Sequence, residues 1–258
     1  MFKIINYLLV IIYILFSTFF NHLKAESLFR SHEATYELEL NSVSRAGQIH
    51  SVSGKMHIDV RKVCDGWVFN QYTTLDITDR MGNQNRSEFR YSTWESLDHK
   101  KFRFLSRSSL DGTEMSNVEG YAFVKEDFGK IIFNVPIKKE LEISSKTIFP
   151  MNHFFLAMKE RPKNNFLYRE IVFTGENEDS LNLVSTFTNY IENHEKKNKF
   201  IKIRSAYFSL VDLYEEPETE IELIVYEDGL VKSVIFDYID YEIKGVLLKH
   251  KYILDLKC

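Results

Sequence analysis

The stretch Glu33-Ala34-Thr35-Tyr36-Glu37-Leu38-Glu39-Leu40 alternates apolar and polar residues without a break. Ala34, Tyr36, Leu38 and Leu40 fall on one side of an extended chain, and the three glutamates with Thr35 fall on the other. That is the pattern of a strand with one face on a core and one in water. The same period of two governs most of the chain beyond Leu40. Strand-like segments recur at residues 49–60, 67–78, 86–96, 101–107, 115–125 and 131–135, and again at 166–174, 181–191, 200–214, 218–227, 230–238 and 241–249. The connections are short and punctuated by glycine and Asx residues, as in Met81-Gly82-Asn83 and Leu110-Asp111-Gly112, with the clearest hairpin at Tyr226-Glu227-Asp228-Gly229-Leu230. Successive strands so closely joined are antiparallel neighbours, because a parallel pair needs a crossover of about a dozen residues or more. A single central helix is expected to start near Pro150, to carry Phe154, Phe155 and Met158 at helical spacing, and to stop at Pro162. Proline suits a first turn and cannot continue a helix.

The later strands are apolar on both faces. Ile201, Ile203, Tyr207 and Val211 oppose Ala206, Phe208 and Leu210, while Val231, Ile235 and Ile239 oppose Val234, Phe236 and Tyr238. A sheet with two apolar faces must be covered on both sides. The expected fold is therefore mainly β: a long antiparallel sheet curled into an open barrel or spiral, with the central helix or overlapping strands packed on one side. Curling disposes of exposed edges, and a flat sheet of about a dozen strands is unusual.

The chain has 258 residues, 44% of them hydrophobic and 27% charged, enough for a large core without cross-links. Residues 1–25 read as a Sec-type signal peptide: Lys3, then a run from Ile4 to Phe20 in which 14 of 17 residues are apolar, and Ala25 before a cut at Glu26. An uncleaved membrane anchor is the alternative, since the run is at the lower limit for a span. Residues 26–258 then form a single exported domain. Lys3 and Lys24 depart with the signal from the 33 basic groups, leaving 31 against 37 acids. That balance disfavours nucleic acid as a partner. Both cysteines, Cys64 and Cys258, lie in the exported part, where an even count argues for one disulfide between them. Two free thiols, or a bridge between chains through Cys258, are the alternatives. An internal bridge closing so long a loop contributes at most about 5 kcal/mol.

Reactive constellations are hard to find. The histidines of residues 26–258 show no metal-ligand spacing, and there is no zinc motif, nucleophile elbow, phosphate loop or dinucleotide fingerprint. No cofactor is expected. His153, beside Phe149 and Pro150 at the helix start, is a candidate site residue or a packed, capping histidine. Asp237 and Asp240 in Asp237-Tyr238-Ile239-Asp240-Tyr241 are either turn residues or a carboxylate pair, although glycoside chemistry needs its two acids across a cleft. The run Glu215, Glu216, Glu218, Glu220, Glu222 reads most simply as a solvated face, with cation binding as the other reading. Trp67, Trp94 and the phenylalanines either fill the core or line an apolar pocket on the concave face.

Several elements in collinear order carry a family resemblance: Ser31-His32-x-Ala34-x-Tyr36-x-Leu38, Cys64-Asp65-Gly66-Trp67, Thr93-Trp94-Glu95 with Asp98, Phe149-Pro150 with His153, Val172-Phe173-x-Gly175, Gly229, Asp237-Tyr238-x-Asp240 and a final Cys258. Together they resemble the EipB cell envelope integrity family of alphaproteobacteria across essentially the whole chain after the signal. Two departures stand out: His99 follows Asp98 where the family usually has glycine, and Ile239 lies where glycine is common between the two aspartates. The resemblance implies a periplasmic protein that maintains envelope integrity, a long antiparallel sheet wound into an open barrel or spiral with a helix, and an internal Cys64–Cys258 disulfide. It brings no established catalytic residues. The family fold is similar to envelope lipoprotein carriers, which suggests an apolar ligand by analogy.

The resulting expectation is a non-enzymatic periplasmic protein that binds a lipid or other apolar ligand, or an envelope partner protein. Trp67, Trp94, His153, Asp237 and Asp240 are its candidate pocket or motif residues. The rival readings are an envelope hydrolase acting on glycan or peptide through Asp237 and Asp240, and a purely structural partner-binding module.

Overall fold

The computed structural model describes residues 29–159, 166–193, 198–210, 216–256 and 258. The expected signal peptide, Pro162 and Glu215 lie outside the described residues. Among the described residues, fourteen strands and one helix follow one another: β1 (His32–Val43), β2 (Ile49–Val63), β3 (Gly66–Asp79), β4 (Gln84–Ser96), β5 (Lys101–Leu110), β6 (Thr113–Val124), β7 (Gly129–Val135), β8 (Lys139–Ile143), α1 (Pro150–Lys159), β9 (Phe166–Phe173), β10 (Leu181–Asn193), β11 (Asn198–Ser209), β12 (Thr219–Tyr226), β13 (Val231–Asp237) and β14 (Tyr241–Tyr252). Thirteen are the strands expected from alternation, with ends moved by a few residues. The strand expected over 200–214 is described as far as Ser209, and 211–214 lie outside the described residues. The fourteenth, β8, escapes a reading by hydrophobicity because Lys139-Glu140-Leu141-Glu142-Ile143 is short and mostly charged. It is an edge strand, where charge protects an unpaired ladder from other chains.

All fourteen form one sheet in the order β8-β7-β6-β5-β4-β3-β2-β1-β14-β13-β12-β11-β10-β9. Strands adjacent in the sheet are adjacent in sequence except at one seam, where β1 pairs antiparallel with β14 from His32–Tyr252 to Val43–Tyr241. The hairpin between β12 and β13 forms as expected, with Gly229 at positive φ and its N–H donated to the Tyr226 carbonyl at 3.0 Å.

The two edges, β8 and β9, are not paired to one another; the sheet rolls past itself. Val172 and Phe173, adjacent and so on opposite faces of β9, are both fully buried. Phe173 packs edge-on to Phe104 of β5 with ring centroids 5.2 Å apart, inside a cluster with Phe102, Phe133 and Phe149. Val172 faces the interior. Just before α1, Ile148 bridges in parallel to Val172, accepting the Phe173 N–H at 3.1 Å and donating to the Ile171 carbonyl at 2.9 Å. The result is an open spiral with β9 tucked against the concave side of β5–β7, which explains the two-faced apolar pattern without a closed ladder.

Helix α1 occupies the end of the spiral at which β1 begins. Met151 and Phe155 pack on Trp67 and Val60, while Ala157 and Met158 reach Ile201, Ile203 and Val225 on the far wall. The disulfide joins Cys64, in the β2–β3 turn, to Cys258, across 194 positions. Inboard of it, Ser31 donates to Asp255 Oδ1 at 2.5 Å and accepts the Lys62 N–H at 2.9 Å, so the C-terminal tail is held against the start of β1 and the end of β2.

Candidate functional site

The spiral surrounds a half-open cavity of about 260 Å³, just below the range of roughly 300–1,000 Å³ usual for small-molecule sites. One wall comes from β1–β4 through Tyr36, Met56, Ile58 and Phe69, and the opposite wall from β11–β13 through Ile203, Leu223 and Phe236. Helix α1 closes one end with Met151, His153 and Phe154, and the β9–β10 connection brings Thr174 and Glu176 to the other. These residues meet because alternation puts every second side chain of each strand inward. Val68, Ser92 and Trp94, with the opposite parity, lie on the convex face.

The polar groups of the cavity are few and mostly engaged. His153 Nε2 is hydrogen-bonded to Thr186 Oγ1 at 2.8 Å, and Thr186 to Ser205 Oγ at 3.0 Å. Burial pushes the His153 pKa down to about 4, so the ring is uncharged at neutral pH. His32 donates Nδ1–H to the Arg30 carbonyl at 2.7 Å and is likewise held below its ordinary value by burial. Tyr36 donates to the Val231 carbonyl at 2.8 Å, and Tyr91 to that of Thr174. Glu176 differs: water can touch much of its side chain, yet protein surrounds it closely enough that burial raises its pKa.

Helix α1 is positioned by a buried carboxylate. Glu95, with 0% of its surface exposed, accepts the N–H of Met151 at 2.8 Å and of Asn152 at 2.9 Å, and takes Nδ1–H of His99 at 2.6 Å. Burial raises the Glu95 pKa, and the bonds from His99 and the helix N-terminus oppose that rise. An acceptor at a helix N-terminus satisfies orphan donors and meets the positive end of the dipole.

Of the candidates Trp67, Trp94, His153, Asp237 and Asp240, His153 lines the cavity and the other four do not, while Phe69, Phe154 and Phe236 are among the phenylalanines that do. Trp67 is 1% exposed and packs at 5.2 Å against both Phe29 and Phe155 beneath α1. Trp94 is on the convex face, donating Nε1–H to Asp65 at 3.3 Å under the Arg103 guanidinium. Asp237 and Asp240 sit in the β13–β14 turn, where Asp237 Oδ1 accepts the Ile239 N–H at 3.1 Å and Asp240 Oδ1 accepts from Ser44 Oγ at 3.3 Å. They face backbone and a hydroxyl, not a cleft. The acidic residues Glu220 and Glu222 pair with Arg204 and Lys202, so that strand face is a salt-bridged surface. Among the described residues no group of three or more His, Cys, Asp or Glu could hold a metal ion, and no helix is long and apolar enough to cross a membrane. Sequence reasoning missed Glu95 as a helix cap and Glu176 as a cavity group. Glu95 shares the inward parity of Tyr91 and Thr93, which is a legible signal; Glu176, in a loop, carries none.

Comparison with known proteins matches this architecture. The cell envelope integrity protein EipB of Brucella abortus (strain 2308) is 25% identical over 235 residues, covering 84% of this chain and 82% of that protein. A crystal structure titled as a beta-barrel-like protein of a domain of unknown function, DUF1849, also from Brucella abortus, shares the fold with a TM-score of 0.78 at 20% identity, covering 88% of this chain and 99% of that one. The family model described as EipB-like spans residues 24–253, from before β1 to just past β14, and the chain with its spiral sheet, seam and helix belongs to the EipB-like family.

Proposed function

We propose that this EipB-like periplasmic protein is a non-enzymatic binding protein that serves cell envelope integrity, the role in the name of its Brucella relative, by holding an apolar moiety inside the spiral. The observation that carries this reading is the cavity: a half-open space with mainly apolar walls between α1 and the β9–β10 connection. A folding core would close such a space, because interiors pack to crystal-like density and voids cost stability. The engaged states of Asp237 and Asp240 favour a turn role for both over hydrolysis.

The test is mass spectrometry of solvent extracts from protein purified natively from the periplasm, together with Gln71→Trp, which fills the cavity from β3. An acyl or other apolar species that is present in the native protein and lost in the variant, along with loss of complementation, supports the reading. No such species, with full complementation by Gln71→Trp, sinks it in favour of a partner-binding surface.

A further inference from the structure

Glu176 is the carboxylate that the cavity leaves unpaired. It follows Gly175, whose φ of 72° turns the chain off β9 close over Phe104, and its side chain reaches the cavity at the end opposite α1. No described residue gives it a hydrogen bond or an ion pair. Tyr207 also lines this end, and no described residue bonds its hydroxyl. Burial, and secondarily the charge of Glu176, hold the Tyr207 proton. The cavity is thus graded along its length. On β11 the inward residues run from Ile203 beside α1, through Ser205, to Tyr207 at the Glu176 end.

Glu176 is exposed to water at this end of the cavity and is the one carboxylate among its lining residues, so it sets the charge that the head of a bound amphiphile would meet. Resting on the proposed role of the cavity, the geometry points to an amphiphile as ligand, its apolar chain between Met56, Phe69, Ile203 and Leu223 and its amine-bearing head group at Glu176 and Tyr207. An ammonium carries three donors and no acceptor, which complements a carboxylate that only accepts. Its bonds to an anion are charge-assisted, roughly twice as strong as neutral ones. A fatty acid or phosphate monoester head would instead set like charges together at this end of the cavity. Glu176 therefore selects the ligand's polar end, while the walls accept any chain that fits.

Titration of the full mature protein with dodecylamine, dodecanol and dodecanoate below their micellar concentrations, followed by calorimetry, tests this. Dodecylamine is expected to bind about tenfold or more tighter than the other two, the size of one charge-assisted bond. Glu176→Gln should bring dodecylamine down to the affinity of dodecanol, and Tyr207→Phe should reduce the preference, serving as the readout if Glu176→Gln does not fold. Equal binding of all three chains, tightest binding of dodecanoate, or a preference that survives Glu176→Gln would each overturn the anchor and leave the cavity's proposed role standing. No binding of any chain would overturn both.

Discussion

The Met151 N–H donates to the buried Glu95 carboxylate at 2.8 Å, so a strand residue caps a helix that begins 55 positions later at Pro150. Pro150 has no N–H to offer, and Met151 and Asn152 are the first donors of α1; both go to this one side chain. The cap fixes the helix that closes the cavity to the wall that lines it.

Glu95→Ala removes that cap and leaves two buried N–H groups and His99 without their acceptor. The expected loss is about 2–3 kcal/mol, combining a lost cap with unsatisfied buried donors. Glu95→Gln keeps one acceptor oxygen and is expected to cost less. Urea unfolding of the three proteins checks the order; equal midpoints would mean that α1 is held by packing alone.

His153 makes stability depend on pH. Its folded pKa of about 4 lies below the ordinary 6.5, so the unfolded chain binds the proton first as pH falls. The contribution is whole above pH 6.5 and is lost on descent through pH 4, about 3 kcal/mol in all. Unfolding free energies of wild type and His153→Gln, measured at steps across that window, are expected to converge as pH falls. A constant difference would show that the folded and unfolded chains take up this proton together.

Cys258→Ser opens a loop of 194 positions and releases the tail from the β2–β3 turn. A native disulfide of this kind contributes about 2–5 kcal/mol. The reduced chain and Cys258→Ser should unfold at a lower temperature than the oxidised chain, with proteolysis beginning beyond Tyr252. Equal resistance of all three would show the bridge to be energetically idle.

The β13–β14 turn holds Ile239 at a φ of 69° with 64% of its surface exposed. A β-branched residue is strained there, so Ile239→Gly should stabilise by about 1 kcal/mol. His99, at 56°, stands in a comparable backbone state but donates to Glu95, so His99→Gly should destabilise. Asp237→Asn and Asp240→Asn keep an acceptor in the same turn and should leave folding and complementation unchanged. A folded variant that loses complementation would revive hydrolysis.

The alternation in 33–40 and its successors made most strands legible, because half-burial imposes a period that any window of eight residues displays. It also made the spiral legible, through the two-faced pattern in β11 and β13. The pairing of β1 with β14 left no local mark in either strand, since partners chosen across the whole chain need none; its one trace was the expected Cys64–Cys258 bridge, which brings the end of the chain beside β2. Parity separates Trp67, inward, from Trp94, outward, yet two tryptophans in apolar strands look alike until the face of each strand is known. His99 and Ile239, the two positions at which the resemblance led to glycine being expected, both hold the left-handed backbone that glycine adopts freely.

The seam has a consequence in time. Strands β1–β8 and β9–β14 are each meanders that can form from their own hairpins as they emerge, whereas β1 waits for β14, the last strand to be synthesised and exported. Loop-closure entropy makes such a late, non-local pairing the slow step. Until it occurs the two cavity walls belong to separate half-sheets, so the cavity exists only in a chain that has been delivered whole.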